Sequence, residues 1–241
     1  MKTRSLLALA ACCSTLPAAA LLIRPDRDDA EYLELASRYT SCVRLDAPGG
    51  DGVLIAPRWV LTSEKAARTL REMKPRPKIA IGRRQVEIQQ VYIHDGVGLV
   101  SLKSDVTDPP FTPPYRGADE SGKTVVIAGH GETGRIGEGT TVKDGKKRAS
   151  INTIDRISAQ AFGMQLKPAT EASDLQGAIT AGDIGAPAYL ETPEGLQVAG
   201  IARSSDGTWE TYARVSAYAA WIDSTMLEQA RQEADALLGE K

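Results

Sequence analysis

Glycine and proline punctuate this chain densely, and the apolar runs between them are short. Gly52-Val53-Leu54-Ile55, Trp59-Val60-Leu61, Val86-Glu87-Ile88, Val97 to Leu102, Thr124 to Ala128 and Val198 to Ile201 are typical. Short apolar runs bounded by turn residues are strands, and many of them in series predict an all-β sandwich or barrel. The exception lies at the end. From about Tyr218 to Leu238 there is no Gly or Pro, and Tyr218, Trp221, Ile222, Thr225, Met226 and Leu237 fall near helical spacing. Ala66 to Met73 predicts a shorter helix, and the proline-rich stretch from Asp108 to Pro114 reads as a linker between two halves.

Composition narrows the function. With 241 residues, 42% of them hydrophobic, the chain can form one large domain or two smaller ones. Twenty-nine basic residues against 31 acidic leave a net charge of −2, which gives no basic face for nucleic acid. His94 and His130 are the two histidines and no Cys-x-x-Cys occurs, so no metal site is expected and no cofactor is assigned. Both histidines read as structural.

The first 20 residues have the form of an export signal. Lys2 and Arg4 precede the apolar stretch Leu6 to Leu16, and Ala18-Ala19-Ala20 supplies small residues for cleavage. The stretch is too short to span a bilayer. Leu9-Ala10-Ala11-Cys12 is an alternative, a lipoprotein-type box that would anchor the chain through Cys12. The expected location is therefore secreted or periplasmic, with a lipid anchor at the cell envelope as the alternative. Removal of the signal leaves Cys42 as the lone cysteine, so no internal disulfide is available and Cys42 reads as a small buried hydrophobe.

One motif is rejected. Gly117-Ala118-Asp119-Glu120-Ser121-Gly122-Lys123-Thr124 matches G-x-x-x-x-G-K-[ST], but phosphate binding there requires a strand before the loop and a helix after it. Here prolines precede it, Val125-Val126-Ile127 follows, and Asp119 and Glu120 would repel phosphate. No nucleotide is expected.

Three separated segments resemble the trypsin-like serine proteases, especially secreted bacterial members. Gly52 to Thr62, reading G-V-L-I-A-P-R-W-V-L-T, resembles the strand pair that leads to that family's catalytic histidine. Ala181-Gly182-Asp183-Ile184-Gly185-Ala186-Pro187 is similar to the nucleophile loop G-D-S-G-G-P, and Tyr212 to Ile222 to the last strand and C-terminal helix. Ile127-Ala128-Gly129-His130-Gly131 and the segment opening at Ile23 are weaker matches. The resemblance implies two orthogonally packed six-stranded antiparallel β-barrels with a C-terminal α-helix, and a cleft between the barrels. The expected division is 1–20 signal peptide, 21–115 N-terminal barrel, 116–215 C-terminal barrel and 216–241 helix.

The family's chemistry needs a nucleophilic hydroxyl, an imidazole base and an orienting carboxylate. At the matching positions this sequence has Ile184, Lys65 and Gly96. A protonated lysine accepts no proton and isoleucine has no nucleophilic atom. Asp95 is one residue from the acid's place, but a one-residue shift in a strand turns a side chain to the other face unless a bulge restores it. Loss of such a triad costs about 10⁶ in turnover, and an oxyanion loop alone retains roughly 10³ over water. Gly182, Asp183 and Ile184 form the residual oxyanion loop. Ser63 beside Lys65 is the remaining Ser-Lys possibility, and Asp183 is expected to pair with the mature N-terminus near Ile23. Ala178, Arg203, Ser204 and Ser205 fall at the former specificity pocket, with Arg203 expected against Asp183 or Glu64. The basic run Lys143, Lys146, Lys147 and Arg148 reads as a solvated loop. These residues predict an exported pseudoprotease that binds an unknown protein partner as scaffold or regulator; the alternative is a hydrolase with a displaced nucleophile.

Overall fold

A computed structural model describes residues 21–47 and 49–239; the expected export signal, with Cys12 and Cys13, lies outside them. In chain order the elements are β1 (Leu22–Ile23), α1 (Asp29–Ser37), β2 (Cys42–Arg44), β3 (Asp51–Ala56), β4 (Trp59–Ser63), α2 (Glu64–Glu72), β5 (Lys78–Ile81), β6 (Arg84–His94) and β7 (Val97–Leu102). There follow β8 (Thr124–Gly129), β9 (Thr133–Arg135), β10 (Thr141–Val142), β11 (Arg148–Thr153), β12 (Arg156–Ile157), β13 (Ala161–Gln165) and β14 (Gly177–Ala178). A 3-10 turn at Ala181–Asp183 leads to β15 (Pro187–Thr192), β16 (Gly195–Ser205), β17 (Trp209–Arg214) and α3 (Val215–Gly239).

Two antiparallel sheets carry the fold. The first has the order β2-β3-β4-β7-β6-β5, and β2 and β5 lie against each other to close it. The second has the order β11-β8-β15-β16-β17-β13-β12. Its two outermost strands, β11 and β12, follow each other in the chain across Ile154–Asp155, so one bent run pairs with β8 on one side and β13 on the other. The seven strands thus form a six-sided barrel, as the resemblance implies.

Alternation along the strands builds three cores. Leu54, Val60, Val100 and Leu102 point into the first barrel with Ile79, Ile81 and Leu70. Val125, Ile127, Ala199 and Tyr212 point into the second. The alternate residues Val53, Ile55, Leu61, Val97 and Leu99 meet Ala128, Val198, Ile201 and Tyr218 between the barrels.

Two segments tie the halves together. β1 and α1 precede the first barrel in sequence yet dock on the second: Leu22 pairs with Ala178, and the buried Tyr32 hydroxyl donates to Gln176 O at 2.9 Å. At the other end α3 leaves the second barrel and returns to the first, where Glu233 takes both nitrogens of Arg58 at 3.0 Å and Gln229 accepts from the Tyr92 hydroxyl at 3.0 Å. The linker runs along this seam, with Pro114 bridged to Val198. Gly117–Thr124 turns directly into β8, with Lys123 on Asp119 at 2.7 Å. In the basic run, Lys143 and Lys146 are exposed, but Arg148 is buried and held by Asp29 of α1 and Asp144. Lys147 is half-buried on the Tyr39 carbonyl. The run is not a solvated loop throughout because α1 covers part of it.

The second barrel also buries a carboxylate. Glu210 is fully enclosed and accepts from Ile179 N, Asn152 Nδ2 and the Tyr212 hydroxyl. Burial outweighs those bonds and pushes its pKa from 4.5 to about 7. A carboxyl that holds its proton more tightly when folded stabilises the fold while protonated, so its contribution is complete below 4.5 and is lost as pH rises to about 7. Glu210→Gln cannot ionise. Denaturant unfolding at pH 5 and pH 8 is expected to show the wild type losing on the order of 3 kcal/mol relative to this variant; a constant difference would contradict the assignment.

Candidate functional site

The barrels leave two adjoining cavities of about 330 and 390 Å³, which share Lys65 and Ile184. His130, Gly182 and Lys143 line the first; Ser63, Glu64, Gly96 and Arg203 line the second. Lys65, Gly96, Ile184 and Gly182, assigned from sequence to base, acid, nucleophile and oxyanion loop, therefore border one cleft, while Asp183 of that loop is buried behind it.

Lys65 is exposed in the first turn of α2. Ser63 is the N-cap of that helix, and its buried hydroxyl accepts from Ala66 N at 3.2 Å. Such a cap contributes about 1 kcal/mol. The Ser63 oxygen thus serves the helix, and among the described residues no hydrogen bond joins it to Lys65.

Gly96 is not the first residue of a strand. His94 pairs with Val97, so Asp95 and Gly96 form a two-residue hairpin turn with φ of 29° and 102°. Asp-Gly suits this turn because both positions require positive φ. Asp95 points away, accepting from Gln160 Nε2 at 3.0 Å, so no bulge brings it to the acid's place. A Cβ at Gly96 would lie 2.9–3.1 Å from the guanidinium of Arg203. The space over Gly96 thus holds a cation. Arg203 reaches it from a bulge in β16, where Ala202 faces Tyr212 and Ser204 faces Thr211, leaving Arg203 between them.

Glu64 is the nearby acid. Its carboxylate is held below the usual range by Arg68, by the Gly96 N–H at 2.8 Å and, more weakly, by Arg203. Of the two acids expected beside Arg203, Glu64 is its neighbour and Asp183 is not. Ala178 is buried in β14, while Ser204 and Ser205 pair with Thr211 and Glu210, so these three lie outside both cavities.

Ile184 follows the 3-10 turn and is half-buried. Its carbonyl accepts from Asp51 N at 3.1 Å, and Gly185 N donates to Ala202 O at 2.9 Å, which fixes the loop to both barrels. Asp183 is fully buried and accepts from Thr180 N at 3.2 Å, Thr180 Oγ1 at 3.0 Å and Gly131 N at 3.1 Å. These bonds also commit the Thr180 hydroxyl. Burial, then the charge of Asp51, pushes Asp183 up to about 8.

Asp51 belongs to none of the motifs in the sequence. It is fully buried and accepts from His130 N at 2.9 Å and bonds His130 Nδ1 at 2.7 Å. A lone acid opening the apolar strand Asp51–Ala56 was the available signal. His130 thus borders the cleft, whereas His94 stacks on Trp221 at 5.1 Å outside it. Cys42 is buried beside them, and burial pushes its thiol well up.

The two cavities are lined by Arg44, Lys65, Arg68, Lys143 and Arg203 together with the acids Asp46, Glu64, Glu72 and Glu132, around the hydrocarbon side chain of Ile184. A family model described as Trypsin matches residues 38–222, from just after α1 into α3, and no curated protein matches the chain. The match spans both barrels and the cleft between them, over more than half of the sequence, so the chain belongs to the trypsin family.

Proposed function

We propose that this chain is a catalytically vacant trypsin-family protein, exported from the cell, that works by binding a protein partner. Lys65, Gly96 and Ile184 are the vacated base, acid and nucleophile positions. The observation that carries the reading is the Arg203 guanidinium over Gly96, a cation where the chemistry requires the orienting acid. The rival reading, a displaced nucleophile, is weakened by the engagement of Ser63 as a helix cap and Thr180 on Asp183.

The ligand is an acidic peptide segment. Among the described residues Lys65, Lys143 and Arg203 have no carboxylate within 4.0 Å, whereas Arg44 and Arg68 are paired with Asp46 and Glu64. Free cations in a cleft attract a negatively charged partner through a field that salt screens.

Export cleavage after Ala20 has a structural consequence. β1 sets Leu22 opposite Ala178 and Ile23 opposite Gly177. Extending that register by one residue would set the buried Leu21 against Ile179, next to the Thr180 that binds Asp183. An α-amino group freed at Leu21, rather than near Ile23, is the counter-charge this reading assigns to the buried Asp183 carboxylate.

Two experiments test this reading. Fluorescence anisotropy with a Glu/Asp-rich peptide is expected to show salt-sensitive binding, weakened about tenfold or more by Lys65→Glu with Arg203→Glu, and mass spectrometry no cleavage. Peptide cleavage, or affinity indifferent to both substitutions, would overturn it. N-terminal sequencing of the exported chain is expected to begin at Leu21; a start after Arg24 would remove the pairing with Asp183.

A further inference from the structure

A second set of side chains converges beneath the cleft. Cys42 comes from β2, Asp51 from the start of β3 and His130 from just beyond β8. Their ligating atoms all lie within 4.8 Å of one another. The Cys42 sulfur is 3.8 Å from His130 Nδ1, which is 2.7 Å from Asp51 Oδ1. We propose that Cys42, Asp51 and His130 bind a single zinc ion.

The donor set is one thiolate, one imidazole and one carboxylate, the combination that suits zinc among common divalent ions. Tetrahedral angles with ordinary zinc–ligand lengths put sulfur and nitrogen about 3.6 Å apart and nitrogen and oxygen about 3.3 Å apart. The sulfur–imidazole spacing is already close to that. The imidazole and carboxylate must separate by roughly half an ångström, with the His130 proton moving to Nε2 so that the Nδ1 lone pair faces the metal. Binding replaces the thiol proton by the metal: the S–H bond breaks, an S–Zn bond forms, and one proton leaves to solvent.

A second observation points the same way. Asp51 and Asp183 are both fully buried, and a Cβ on Gly129 would touch the carboxylates of both. Among the described residues neither is in a salt bridge to lysine or arginine, and His130 is the sole partner of that kind for Asp51. The buried Asp51 carboxylate, a member of the cluster, calls for a counter-charge or a metal. The half-buried Lys147 ammonium is held on the Tyr39 carbonyl, at the wall of a cavity of about 420 Å³ that Cys42 and His130 also line. That cavity gives an ion a path inward. Three protein ligands leave the fourth zinc position open toward it.

The site would fasten β2, β3 and the end of β8 beneath the loop of Ile184, whose carbonyl already accepts from Asp51 N. It does not depend on what the cleft binds. The test uses the full chain, reduced, freed of metal with a chelator, and titrated with cobalt as a spectroscopic substitute and then with zinc against a chromophoric chelator. The expected result is one equivalent per chain, with the intense ligand-field bands of tetrahedral cobalt and a sulfur-to-cobalt charge-transfer band. Cys42→Ser should abolish the charge-transfer band, which separates Cys42 from Cys12 and Cys13. His130→Ala should weaken zinc binding by about tenfold or more, with circular dichroism showing both variants folded. A charge-transfer band that survives Cys42→Ser, affinity unchanged in His130→Ala, or no cobalt spectrum in the wild type would overturn the proposal. Should one variant fail to fold, the other and the wild-type spectrum still decide it.

Discussion

Strands that feed two cores at once set the shape of this molecule, because side chains alternate between faces every residue. In β3, Leu54 fills the first barrel while Val53 and Ile55 face the second. The same division runs through β4, with Val60 inside and Leu61 outside, and through β7. A one-residue slip in any of them would exchange the two cores, so register is strongly fixed. The cleft inherits that rigidity, since Lys65, Gly96 and Ile184 all hang from the ends of strands packed this way.

Geometry at Gly96 then limits the chemistry. The left-handed turn admits no side chain cheaply, and the bulge in β16 sends the Arg203 guanidinium into the space above it. A cation fixed there favours a bound anion and would oppose an imidazolium in the same place. Below this layer lie the fully buried carboxyls of Asp183 and Asp51, and burial with the charge of Asp51 pushes Asp183 up to about 8. The cleft surface therefore carries both signs of charge, with Lys65, Lys143 and Arg203 free of carboxylate partners among the described residues, and the loop bearing Ile184 separates it from the buried carboxyls.

Local chemistry made much of this legible in the sequence. Short strands between turn residues, the proline-rich linker and the gap-free final helix each follow from the residues on the spot, as does the double barrel once the three family-like segments are lined up. What escaped depended on distant partners. Asp51 and His130 are 79 residues apart, and nothing local marks them as neighbours. Arg148 is buried because Asp29, 119 residues earlier, folds over it. Gly96 is a different case. Asp95-Gly96 is a strong hairpin signal, but the strand-like run after it drew the strand one residue too early.

The most direct test of a vacant catalytic site is chemical. Fluorophosphonate should be applied to the purified wild-type chain and to Ile184→Ser, beside an active trypsin-family enzyme, with intact mass as the readout. The account predicts an adduct on the control enzyme and on neither form of this chain, because Lys65 and Gly96 leave a restored hydroxyl without a base or an orienting acid. A mapped adduct on any serine of the wild type, or on the Ile184→Ser chain at position 184, would contradict it and return the protein to the hydrolases.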